Sequence, residues 1–503
     1  MIQSKRSFKF LPILLLISIQ LHAVTSPFSP FNRYNLSYTQ LQSRRQSITD
    51  TGTVPWLSRY DSCPGSNSSS CFRFDAKGQS IETVLGGLAG IEYSSKSNRF
   101  GAVQANVDYT SPFLSAHIAA DVFSTERKAN SPVNDIQFER FIKENAHEPI
   151  KGVFDFRGNI SEGYLTATYK SFSLSTGKQK LRWGPGYKGT LGLSGTAYSP
   201  FYYYNMNIGL GRVLHLQAFL CGYDDEVTYS KELETNTKLV VKASNQTVKT
   251  YFPRYGAGQR IDLKIGRHVQ VGIYELVDFF GSNELNRFAN PLQMYYLANE
   301  ASGTNNANML AGIDFNLVFN PVRIYGEFIN DDITVFEKTG NPDKYAWQIG
   351  GAWYGNEFLV TAGTEYTHLS KYIYGHSRVL SRHAHWGESM GWPWGNYMDV
   401  VSLYGIFKFP RNINARVEAN YWLKGDGSLT DEWYADGKPD MDEAPYFPRN
   451  PTKIYSMILS AEYRPFSWLT YSLYYEPVVQ NKKLSNGFYT YLQCSVPEIR
   501  KKR

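Results

Sequence analysis

Three short stretches hold the side chains best suited to chemistry. In the first, Arg182-Trp183-Gly184-Pro185-Gly186 follows Lys180 and runs on into Tyr187-Lys188-Gly189-Thr190-Leu191-Gly192-Leu193-Ser194. It sets an indole and several cations beside a sharp turn that glycine permits. An indole face stacks on the C–H surface of a pyranose, and Arg182 or Lys180 would meet an acidic sugar, so this is either a sugar platform or a structural corner. In the second, Glu327, Asp331 and Asp332 offer carboxylates. Glycoside hydrolysis needs two carboxylates flanking one bond, and adjacent strand residues point to opposite faces, so Asp331 and Asp332 fail as that pair without a bulge. In the third, His376, His383 and His385, followed by Trp386, crowd into a chain with only 9 histidines. His383-x-His385 would send both imidazoles to one side of a strand, but the spacing matches no standard zinc signature. A hydrogen-bonded polar plug is the expected use, with no metal and no cofactor. The acidic run from Asp426 to Glu443 lacks EF-hand spacing and is expected to be a solvated loop. No nucleophile elbow, Walker motif, dinucleotide fingerprint or HExxH is present, and the chain is not expected to be an enzyme.

The elements that must position these residues are strands. In Arg411–Trp422, Ile413, Ala415, Val417, Ala419 and Tyr421 share one parity, and Asn414, Arg416, Glu418 and Asn420 share the other. Successive strand side chains face opposite sides, so one face is apolar and the other charged. Gln259–Ile265, Leu310–Phe319 and Pro321–Phe328 repeat the pattern, and Glu327 falls on the charged face with Arg323. Aromatic residues make up 15% of the chain, with 37 Tyr, many of them clustered where strands should end. Amphipathic rings there suit a membrane interface. Mean hydropathy is −0.38, and no internal apolar run approaches the roughly 20 residues of a membrane-spanning helix. The expected fold is all-β: an antiparallel transmembrane β-barrel of about 16–18 strands with a partly filled lumen, preceded by a short mixed segment. Long polar segments at Thr125–Glu148, Asp224–Val248, Gly281–Asn308, His368–Asn396 and Lys424–Pro451 are expected outside or folded into the lumen.

The N-terminus places Lys5, Arg6 and Lys9 before an apolar stretch, Phe10–Leu21, that ends at Leu21-His22-Ala23. Residues 1–23 are therefore expected to be a signal peptide. Without its three cations and no acids, the net charge falls from +7 to +4, too mild to argue for nucleic acid. The remaining divisions are 24–90 as a periplasmic or plug segment, with one polar helix over Tyr34–Ile48, then 91–495 as the barrel and 496–503 as a basic tail. Cys63 and Cys71 bracket a flexible loop that a disulfide would close in an oxidising periplasm. Cys221 and Cys494 lie near strand ends.

The Trp-Gly-Pro-Gly turn with its small-residue and Leu/Ser continuation resembles that of the Wzi-type capsule-assembly proteins of bacterial outer membranes. Tyr325–Ile333, with its paired acids, and the His- and Gly-rich stretch Tyr366–Gly395 are similar to further segments of that family. The likeness is read from about Phe172 to Gly395; the C-terminus lacks the terminal aromatic common in outer-membrane strands. The resemblance implies a Gram-negative outer-membrane location and a role in binding exopolysaccharide for capsule assembly or attachment. Its implied partners are surface polysaccharide, outer-membrane lipid and capsule-export machinery. Lys180, Arg182, Trp183, Tyr187, Glu327, Asp331, Asp332, His376, His385 and Trp386 are the candidate binding residues. A porin or solute channel is the alternative, and a barrel enzyme acting on lipid or sugar is a third class. An occluded lumen would separate the first two.

Overall fold

The computed structural model describes residues 80–93, 98–111, 113–126, 155–195, 200–211, 213–223, 226–228, 250–266, 268–300, 306–332, 342–355, 358–376, 378–385, 387–429, 448, 450–466 and 469–494. The expected signal peptide, the Tyr34–Ile48 helix, the Cys63–Cys71 loop, Trp386 and the basic tail lie outside these residues.

Eighteen antiparallel strands form one closed sheet. The first half comprises β1 (Ser80–Tyr93), β2 (Asn98–Thr110), β3 (Leu114–Glu126), β4 (Asp155–Tyr169), β5 (Phe172–Lys178), β6 (Phe201–Leu210), β7 (Leu214–Gly222), β8 (Arg254–Ile265) and β9 (Val269–Phe280). The second comprises β10 (Ala307–Phe319), β11 (Val322–Asp332), β12 (Lys344–Tyr354), β13 (Leu359–Leu369), β14 (Met398–Phe409), β15 (Ile413–Lys424), β16 (Thr452–Phe466), β17 (Leu469–Gln480) and β18 (Lys483–Cys494). Closure is made by β1 against β18, from Leu85 opposite Cys494 to Tyr93 opposite Asn486. The first strand begins at Ser80 and not near Ile91 as expected. Its run Val84-Leu85-Gly86-Gly87-Leu88-Ala89-Gly90 has no polar residue to mark the period of two.

Alternation sets the two faces as expected. Ile261, Leu263 and Ile265 are exposed on the outside while Arg260, Asp262 and Lys264 are buried inside. On β15, Val417 is exposed and its neighbours Arg416 and Glu418 are buried in the lumen. An outward Arg there would cost roughly 2–4 kcal/mol at mid-bilayer. On β11, Val322, Ile324 and Phe328 face out while Arg323, Tyr325 and Glu327 face in.

The eight connections that follow even-numbered strands have two to four residues, so that end faces the periplasm, together with the start of β1 and the end of β18. Exposed Phe113, Tyr169, Phe319, Trp353, Phe358 and Phe409 ring it. All five long polar segments anticipated from the sequence leave from the opposite end, as do residues 179–200, after β5. The tyrosine clusters divide: Tyr203 is exposed, but Tyr202 and Tyr474 turn into the lumen, and Tyr295 begins a helix.

Candidate functional site

Two of the long connections fold back into the barrel. The first inward loop is residues 179–195, after β5; the second is residues 370–397, between β13 and β14. Both consist almost entirely of irregular backbone, whose N–H and C=O groups need partners away from water. The charged inner wall supplies them. Glu327 accepts the backbone N–H groups of Leu191 (2.9 Å) and Gly192 (3.1 Å), besides the Tyr274 hydroxyl (2.7 Å) and the Gln348 amide (2.8 Å). Glu365 accepts those of Tyr187 and Lys188. Carbonyls go to guanidinium groups: Arg323 donates to Pro185 (2.8 Å), and Arg254 donates to Leu380 (2.7 Å), Arg382 (2.9 Å) and Ala384 (3.1 Å). Bonds to charged groups contribute about 1.5–3 kcal/mol each.

The Trp-Gly-Pro-Gly motif opens the first loop. Arg182 and Trp183 pair with Ser194 and Leu193 in a small antiparallel ladder, closing the loop on itself. Gly184 has φ +118°, and a Cβ there would lie 2.4 Å from a Glu327 oxygen. Glycine is therefore required twice over at that position, by conformation and by the approach to the wall. Trp183 is 1% exposed. Its N–H donates to Gln217 (2.8 Å), and its ring meets Phe219 at 5.3 Å and Tyr274 at 5.8 Å. Tyr187 stacks on Tyr404 at 3.6 Å and donates its hydroxyl to Glu418. Lys188 pairs with Glu418, which also holds Arg416, and its ammonium lies 5.1 Å over Trp394 and 5.0 Å over Trp422.

The second loop locks the first. Ser194 N–H donates to Met390 (2.8 Å), and the Tyr374 hydroxyl donates to Leu191 (2.9 Å). His383 lies between Asp278 on β9 (2.7 Å) and the Gly192 carbonyl (2.8 Å). Burial opposes its positive charge, but Asp278 and that carbonyl outweigh it and raise its pKa above the ordinary histidine range. Burial, then the nearby Lys344, drive His376 the other way, down to about 3. Trp183, Leu191, Leu193, Tyr374, Met390, Trp392 and Trp394 thereby share one core with wall residues such as Phe219, Leu276 and Leu310.

The candidate residues divide accordingly. Trp183, Tyr187 and Glu327 are all buried where the inward loops meet the wall, an assembly that forms a stopper, and the two rings leave almost no surface exposed. Arg182 is half-buried and donates to the Gly186 carbonyl, and Lys180 is half-buried at the loop's entrance. Asp331 is buried 3.7 Å from Lys344. The register of β11 against β12 shifts between Asn330 and Asp332, the bulge that a carboxylate pair would have needed. His376 accepts Arg378 N–H (3.1 Å), and His385 packs 5.6 Å from the Tyr223 ring. His383 and His385 form no common ligand set, since both nitrogens of His383 face hydrogen-bond partners. Glu365, Lys188, Trp392, Trp394 and Arg254 were absent from the expected set. For Glu365, inward parity on a strand was the available signal.

Fold and site together define a membrane-spanning β-barrel whose lumen is partly filled by two of its own outer loops. The capsule assembly protein Wzi model matches residues 74–350, and the chain belongs to that family. Among solved structures it is similar to Wzi of Escherichia coli, an outer-membrane protein involved in group 1 capsule assembly and described as a carbohydrate-binding β-barrel. The identity is 13% and the TM-score 0.53, over 82% of this chain and 84% of that one. OprD of Pseudomonas aeruginosa aligns over 86% of this chain and 96% of its own, at 11% identity and TM-score 0.44. OccAB4 of Acinetobacter baumannii aligns over 86% and 99%, at 10% and 0.42. No curated relative matches.

Proposed function

We propose that this protein is a closed outer-membrane barrel of a Gram-negative cell that binds exopolysaccharide at its long-loop end and so assists capsule assembly or attachment. The observation that carries this is the stopper. Wall groups that a channel would offer to a passing solute, Glu327, Glu365, Arg323 and Arg254, are engaged by the backbone of the two inward loops. A sugar-binding anchor works with a filled lumen, whereas a solute channel does not. Family membership and the carbohydrate binding described for the Escherichia coli relative favour a glycan as ligand. Within this reading Trp183, Tyr187 and Glu327 hold the first loop in place, and Lys180 and Arg182, half-buried on that loop, are the cations offered to an acidic glycan. Capsule-export machinery is a further partner, and the role is binding without a catalytic step.

The test pairs two measurements, one on purified protein and one on cells. Purified protein in a planar bilayer should show no steady conductance, and cells lacking the protein should shed polysaccharide that the wild-type gene restores to the surface. Steady ohmic conductance with normal glycan retention in the deletion strain would make the protein a channel.

A further inference from the structure

The connection between β9 and β10 behaves unlike the inward loops, for it folds down over the outside of the wall. It forms α1 (Ser282–Phe288) and α2 (Tyr295–Glu300). On β9, Tyr274 and Asp278 point into the lumen, where they meet Glu327 and His383, so Glu275, Val277 and Phe279 point outward. By the same alternation Leu220, Ala257 and Ala307 face out on β7, β8 and β10. All of these apolar outward residues are nevertheless buried, and Leu220, Ala257, Val277, Phe279 and Ala307 share a core with Phe288, Tyr295 and Ala298 of the helices. Phe279 and Phe288 meet at 5.0 Å.

The polar groups of this outer wall are matched in the same way. Glu275 accepts the N–H groups of Tyr295 (2.9 Å) and Tyr296 (3.3 Å), Gln259 donates to the Gln293 carbonyl (2.6 Å), and Tyr204 donates to the Ala289 carbonyl (3.0 Å). Gln259 stands opposite Glu275 in the β8–β9 register. One step further toward the periplasm along the same outer face lie Ile261 and Ile273, which are exposed, with Ile313 opposite Ile273 on β10. The lower edge of the segment thus sits directly against the lipid-facing belt. Its own outer surface is apolar: Leu292 is 83% exposed, Met294 62%, and Tyr296 and Leu297 59% each.

We propose that residues 289–297 form a lipid-seated flap, whose Leu292, Met294, Tyr296 and Leu297 face the acyl chains of the outer leaflet while Glu275, Gln259 and Tyr204 tie it to the barrel. Continuity with the exposed Ile261, Ile273 and Ile313 selects acyl chains as the occupant. The flap also accounts for an acid at the outward-facing Glu275 position, since it supplies the N–H partners that lipid lacks.

Nitroxide labels at Leu292→Cys and Met294→Cys, in the full chain reconstituted in phosphatidylcholine bilayers, test the flap. A label at the exposed Ser282→Cys marks the water side, and the unsubstituted chain, with its native cysteines, serves as blank. Heat-modifiable gel migration establishes that each variant has assembled. The ratio of oxygen to nickel-chelate accessibility should be several-fold higher at 292 and 294 than at 282. Equal ratios at the three positions would overturn the proposal and put the flap in water. Labels shielded from both reagents that become accessible as the protein is diluted with lipid would also overturn it, in favour of a second copy as the occupant.

Discussion

Strands β7 to β10 are covered on both faces by loops of the same chain, and the two coverings differ in kind. Inside, Phe219, Asp278 and Arg254 meet irregular backbone that is held by carboxylates, guanidinium groups and a histidine. Outside, their immediate neighbours Leu220, Phe279 and Tyr255 meet two short helices that offer an apolar face, while Glu275, Gln259 and Tyr204 take up backbone groups of the second helix and the turn before it. A charged wall suits unpaired backbone, because it can supply partners for N–H and C=O groups alike. A mainly apolar wall suits helix, whose backbone is paired within itself except at its ends, and here three polar wall residues meet the ends and the turn. One strand therefore specifies two independent cores, by alternate residues, and each core selects the loop conformation that its chemistry can support.

That independence is open to direct attack. Glu418→Ala has the largest expected effect, because it leaves Arg416 and Lys188 buried without their shared carboxylate. Breaking a buried pair by removing one partner costs about 3–5 kcal/mol. The barrel should still assemble and migrate as heat-modifiable protein while the stopper loosens, seen as intermittent conductance in a planar bilayer. A silent bilayer with unchanged thermal stability would mean that the charged wall does not hold the loop.

Phe279→Ala strikes the other face of the wall. It removes a fully buried ring from the outer core, at a cost of about 3 kcal/mol. Protease should then nick the chain within residues 281–300 faster than in wild type, with conductance unchanged. Conductance rising along with nicking would show that the two cores are coupled through the strands and that the division between them is false.

The strands were legible in the sequence because period-two alternation is local. Arg416 beside Val417 and Glu327 beside Phe328 each declare their side within two residues. What covers each side is not local. Lys188 meets Glu418 from 230 positions away, and Trp183 meets Gln217 from 34. The sequence placed an indole at a glycine turn but held no sign of the wall residues, Gln217, Phe219 and Tyr274, that enclose it. The expected polar plug in the histidine-rich stretch was closer to the structure, because a cluster of His, Tyr and Trp among strands has few other uses. Glu275 carries a usable signal: an acid of outward parity on a membrane strand announces that something other than lipid lies against it.

His383 gives the subtlest test, since it joins the inner wall to both inward loops through Asp278 and Gly192. Its pKa is raised in the folded protein, so its protonated form contributes stability that is fully present below the unfolded value of about 6.5. That contribution is lost as pH rises through the raised folded value. The stopper should therefore be tightest in mildly acidic conditions and loosen as pH climbs from about 6.5, by about 1.4 kcal/mol for every tenfold gain in proton affinity that folding confers on the imidazole. Opening events in a planar bilayer should become more frequent across that range in wild type. His383→Gln keeps a group able to hydrogen-bond and removes the charge, so it should open at one frequency throughout and lose the pH dependence. A His383→Gln protein that still tightens on acidification would move the proton to another group. Tightening as pH rises in wild type would mean that the neutral imidazole holds the loops together.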